Sequence, residues 1–70
     1  MLKREITLDC GLRQLMHARE EIGSLAGVVG AEVVPGKNAL RVWQGEELGE
    51  GALWEALSRC GLSNRQIRIR

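Results

Sequence analysis

Seventy residues bound the chain to one small domain, and a domain of this size buries only about 60% of the surface its unfolded chain exposes, so its core must be compact. Charged residues make up 27% and balance to a net charge of +1, too even for bulk electrostatic binding of nucleic acid or of an anionic membrane. Hydrophobic residues reach 44% but never run more than a few in succession, so neither a transmembrane span nor a signal-peptide core is expected, and the expected location is the cytoplasm with both cysteines reduced.

The first strand is expected over about Lys3 to Asp9, where Leu2, Ile6 and Leu8 alternate with Lys3, Glu5, Thr7 and Asp9 and Arg4 interrupts the pattern. At Cys10-Gly11 the apolar period lengthens from two residues to about 3.6, so the strand feeds a helix. That helix is expected from about Leu12 to Ser24, with Leu12, Leu15, Ala18, Ile22 and Leu25 on its core stripe and Arg13, Gln14, Glu20 and Glu21 facing away. Gly23 and Gly27 weaken and end it. Val28 to Val34 is β-branched and reads as a second strand, stopped by the turn residues Pro35-Gly36-Lys37-Asn38. Ala39 to Trp43 returns as a third strand of a hairpin, with Leu40 and Val42 inward and Arg41 and Trp43 outward. Gln44 to Gly51 is a polar connection. A second helix follows from about Glu50 to Cys60 with the stripe Leu53, Ala56, Leu57 and Cys60, then Gly61 as a C-cap and a final strand over Gln66 to Arg70.

The element order βαββαβ predicts an α+β fold, a ferredoxin-like plait in which a four-stranded antiparallel sheet carries two helices on one face. Its expected core is Ile6, Leu8, Leu15, Ile22, Val33, Leu40, Val42, Leu53, Leu57 and Ile67.

Cys10 precedes a helix N-terminus, where free N–H groups and the helix dipole favour a thiolate, although Asp9 beside it pushes the other way. It is either a lone ligand, a redox-sensitive thiolate or a small apolar residue closing a strand, and the last is the simplest. Cys60 lies on the apolar stripe of the second helix and is expected in the core. In a plait, strand one and helix two end at the same edge, which brings Cys10, Cys60, Met16 and His17 into one region; that would permit an unusual metal site with Cys10 and Cys60 as candidate ligands, while the helical stripe turns His17 to solvent and Met16 to the core margin. Trp43, on the helix-free sheet face, and Trp54, beside the stripe of helix two, are the candidate partner anchors. No Ser-His-Asp set, paired acid cluster or phosphate-cradling glycine loop occurs, so no enzymatic activity is expected.

The stretch Leu25-Ala26-Gly27-Val28-Val29-Gly30-Ala31-Glu32-Val33 resembles the end of helix one and the start of strand two in the heavy-metal-associated domains of copper chaperones and P-type metal ATPases. Leu53-Trp54-Glu55-Ala56-Leu57-Ser58-Arg59-Cys60-Gly61-Leu62 is similar to their second helix, which ends in Ala-Gly and an aromatic residue. The family's metal loop, Gly-Met-x-Cys-x-x-Cys, joins strand one to helix one. Counted back from Gly27, its two cysteines fall on Gly11 and Gln14, or with a one-residue shift on Cys10 and Arg13, so one thiolate at least is missing. Leu62 stands where the family has an aromatic residue. The resemblance therefore implies a non-enzymatic domain with a degenerate metal loop, an accessory or interaction module whose partner is another protein such as a metal transporter or chaperone-type domain. The alternative is a trafficking protein that carries Cu(I) or Zn(II) through Cys10 and an unconventional second ligand. A further alternative is an RNA-binding plait, for which the face with Arg41, Arg68 and Arg70 supplies only one aromatic residue, Trp43.

Overall fold

Periodicity and turn chemistry resolve, in the computed structural model describing residues 1–70, into β1 (Leu2–Leu8), α1 (Leu12–Gly23), β2 (Val28–Val33), β3 (Ala39–Gln44), α2 (Glu50–Arg59) and β4 (Ile67–Ile69). The strands form one antiparallel sheet in the order β2-β3-β1-β4. This is the ferredoxin-like βαββαβ plait. Opposite Ile6 stand Leu40 and Ile69, and opposite Arg4 stands Val42, so these residues share the helix-covered face. Lys3, Glu5, Thr7, Arg41, Trp43, Glu32 and Arg68 alternate onto the open face. There Arg41 Nη1 lies 3.2 Å from Glu32 Oε1.

Ile6, Leu8, Leu15, Ile22, Leu40, Val42, Leu53 and Leu57 are fully or almost fully buried between sheet and helices. Each contributes about 1.5–3 kcal/mol by leaving water. Of the ten expected core residues only Val33 is not buried, packing half-covered at the edge of the cluster, and Leu62 joins the core instead. The edge strands are both irregular: β4 has three residues, entered from a 3-10 turn over Asn64–Gln66, and β2 shifts register between Val28 and Gly30, leaving Val29 exposed. The final strand is thus shorter than its Ile-Arg alternation predicts.

Two sequence expectations are corrected. Leu12 is not in the core but 69% exposed, because it is the first residue of α1 and its side chain leans toward the N-terminus, past the end of the helix. Gln44 is not in a polar connection but is the last residue of β3, fully buried, in the inward register after Leu40 and Val42. Its Nε2 donates to Leu48 O at 2.7 Å and to Gly45 O at 3.3 Å, and its Oε1 accepts from Arg4 Nε at 3.1 Å. Arg4 interrupts the strand alternation in order to make this contact. Gly45 N donates to Gly27 O, and a Cβ on Gly27 would stand in van der Waals contact with Leu48 Cβ, at 3.5 Å. Gly27 has φ +96, a conformation that costs a side-chain-bearing residue free energy.

Replacing Gln44 with Leu keeps the volume but leaves the Leu48 carbonyl and the Arg4 guanidinium without their partner. Urea denaturation of Gln44→Leu is expected to show a loss of about 2–3 kcal/mol, whereas Gln44→Glu, with a charge at the same site, is expected to lose more.

Candidate functional site

The edge at which β1 ends and α1 begins is held by carboxamides. Gln66 Nε2 donates to Asp9 O at 2.8 Å and Asp9 N donates to Gln66 O at 2.8 Å, fixing the residue before Cys10. One turn into α1, Gln14 Nε2 donates to Cys60 O at 3.0 Å, the carbonyl left free where α2 ends. Gly61 follows at φ +83, and a Cβ there would stand 3.5 Å from the Gln14 amide nitrogen. The C-cap itself is Cys60, one residue before the glycine expected in that role, and Gly61 supplies the left-handed residue just past it. Farther along, Arg59 Nε lies 3.7 Å from Glu21 Oε1, so Glu21 reaches toward α2 instead of facing away.

Cys10 is half-buried and packs against the core, and Cys60 is buried in it. Both are free thiols, and both are pushed above the ordinary thiol value. For Cys10 the larger cause is burial, followed by the Asp9 carboxylate; for Cys60 it is burial, followed by Glu21, with Arg59 opposing. The upward push that Asp9 was expected to exert on Cys10 is present, and burial is a larger cause in the same direction. His17 is exposed and Met16 is 41% exposed, so neither turns toward the cysteines' side of the core.

The two registers of the metal loop place either Gln14 or Arg13 at the position of the second thiolate. Gln14, whose Nε2 donates to the Cys60 carbonyl, offers a metal only a neutral amide oxygen in place of a thiolate, and Arg13 is an exposed cation that would repel another. No group of three or more His, Cys, Asp or Glu side chains is arranged to hold a metal ion. These residues do not fit a two-thiolate site for a soft metal ion.

Trp54 is half-buried against the core, and Trp43 is half-buried on the open face, with its Cε3 4.0 Å from where a Cβ on Gly30 would be. Residues not foreseen as surface are Leu12 and Met16, one helical turn apart and both exposed beside the Cys10 loop. The (i, i+4) spacing was visible in the sequence; the exposure was not.

Among solved structures, the chain is similar to a protein from work on crosstalk between Cu(I) and Zn(II) homeostasis. It superposes with a TM-score of 0.78 over 100% of both chains at 19% identity. The likeness is one of fold. No protein-family model matches the sequence, and no curated protein does. No helix is long and apolar enough to cross a membrane.

Because the thiol of Cys10 is held protonated at neutral pH, its alkylation by iodoacetamide is expected to be slow there and to climb as the pH passes the ordinary value of 9.0. Asp9→Asn is expected to speed alkylation at neutral pH. The sign for stability is the reverse of a carboxylate's: the fold favours the neutral thiol, so its contribution is present below that value and is lost as the pH rises above it. Rates equal in both proteins at every pH would contradict this account.

Proposed function

We propose that this domain is a non-enzymatic accessory module of the heavy-metal-associated type, in which the loop between β1 and α1 has exchanged metal transfer for protein interaction. The observation that carries this reading is the Gln14–Cys60 hydrogen bond of 3.0 Å, which gives the position of a second metal thiolate a structural task. The exposed pair Leu12 and Met16 beside Cys10 supports a protein partner at this same edge, since apolar side chains without cover gain from docking. A metal transporter or chaperone-type domain is the partner class that the resemblance suggests. The balanced charge and the half-covered Trp43 favour this over RNA binding.

A second reading is favoured by the solved structure with the same fold, whose subject is Cu(I) and Zn(II) homeostasis. In that reading the chain carries a soft cation through Cys10 and one further ligand. The two diverge in a Cu(I) competition against a chromogenic chelator under reducing conditions. The accessory module is expected to withdraw no stoichiometric copper and to show no rise in melting temperature with Cu(I) or Zn²⁺, and Cys10→Ser is expected to melt within about 1 kcal/mol of the parent. Copper uptake by the parent that disappears in Cys10→Ser would establish the trafficking reading instead.

A further inference from the structure

The chain has one cavity, about 350 Å³, and it lies at the strand ends instead of at the helices. Thr7, Asp9, Asn38, Arg65, Gln66 and Arg68 line it, with Leu8 as the one apolar contribution. Its volume is at the lower end of the range for small-molecule sites, about 300–1,000 Å³. The backbone that shapes it is tied down: Leu8 N donates to Asn38 O at 2.7 Å and Asp9 N to Gln66 O at 2.8 Å. Gln66 is itself clamped, with Nε2 on Asp9 O and Oε1 accepting from Ser63 N at 2.9 Å. Thr7 and Arg68 are direct cross-strand neighbours on the open face.

The functional groups of this cleft, by contrast, are uncommitted. Neither Arg65 nor Arg68 takes part in an ion pair, whereas Arg41 and Arg59 both do. The side chains of Thr7, Asp9 and Asn38 take part in no hydrogen bond within the protein. Two guanidiniums and one carboxylate set the ligand's charge pattern. A simple cation would meet both arginines, and a phosphate dianion would meet Asp9. A molecule with a carboxylate at one end and an ammonium at the other satisfies all three, and the planar guanidinium fork matches a carboxylate in particular. Leu8 is the one hydrophobic residue among the seven that line the cleft, so polar and charged side chains set what it binds.

We infer that the cleft between the ends of β1, β3 and β4 binds a small zwitterion of the α-amino acid class, its carboxylate held by Arg65 and Arg68 and its ammonium by Asp9. The site uses no thiol and none of the residues assigned to the partner surface, so it stands or falls independently of the accessory role. Thr7 and Asn38 supply neutral hydrogen bonds at the rim. The ligand is free, polar and exchangeable, as the openness of a cleft between strand ends requires.

The test is amide chemical-shift perturbation of the full chain titrated with L-alanine, and separately with propionate, ethylammonium and inorganic phosphate. L-alanine is expected to move the amides of Thr7, Leu8, Asp9, Asn38, Arg65, Gln66 and Arg68, and the three probes that lack one charge or carry a dianion are expected to bind about tenfold more weakly. Arg65→Gln and Arg68→Gln are each expected to weaken L-alanine by about tenfold, and Asp9→Asn to weaken L-alanine while strengthening propionate. The same spectra show that each exposed-site variant is folded. Absence of shifts at about 50 mM L-alanine would overturn the inference. So would propionate or phosphate binding the parent as tightly as L-alanine, or Asp9→Asn leaving the preference unchanged.

Discussion

A fully buried primary amide must have its hydrogen-bonding groups answered inside the protein, since an unanswered one costs on the order of 1–3 kcal/mol. Gln44 meets that requirement with groups from three separate places: the Arg4 side chain on β1, its own neighbour Gly45, and Leu48 in the connection to α2. Because Gly45 is bonded in turn to Gly27 after α1, one side chain coordinates the ends of a strand, a helix and the loop that launches the second helix. The packing of Leu53, Ala56 and Leu57 on the sheet depends on where that loop delivers α2.

The opposite end of the molecule follows the same chemistry. The chain has three glutamines, and each bridges segments distant in sequence or closes a loop: Gln14 to Cys60, Gln44 to Leu48, Gln66 to Asp9. Neutral carboxamides are insensitive to salt and to pH across the physiological range, unlike the surface pairs Arg41–Glu32 and Arg59–Glu55, which are solvent-exposed and worth little. In a fold of this kind, the edge between β1 and α1 is a natural place for ligand chemistry because a strand end and helix end converge there. Here that convergence is occupied by amide ties around Cys10, and the open concavity lies at the neighbouring strand ends, where Arg65, Arg68 and Asp9 are left without an ion pair.

The architecture was legible because its determinants are local. Two-residue alternation in β1 and β3, the Pro35-Gly36 turn and the glycines after each helix specify elements that only a plait joins economically. Gln44 was not legible, since a polar residue after Val42-Trp43 ends a strand or buries an amide with the same spelling; the choice lies with Arg4, 40 positions away. Arg4 itself looked like a lapse in the pattern for the same reason. Leu12 was misread because stripe geometry assumes a helix covered along its length, and the side chain of its first residue leans toward the N-terminus, off the covered face. At the candidate site, the placement of Cys10 after β1 and of Cys60 at the end of α2 follows from the sequence pattern, but the Gln14 contact with the Cys60 carbonyl, spanning 46 residues, does not.

The irregular borders of the sheet have a colloidal consequence. An open four-stranded sheet exposes two rows of unpaired backbone groups, each a template for another copy of the chain to add a strand. At one border β4 offers only three residues, interleaved with Arg68 and followed by Arg70, too short and too charged for a neighbour to zip onto. At the other, the register shift at Val28 and Gly30 bends β2 just where its apolar Val29 is exposed, which spoils the straight ladder that fibril growth needs. With a net charge of only +1 to hold copies apart, the shape of these margins is what opposes strand addition by a second copy of the chain.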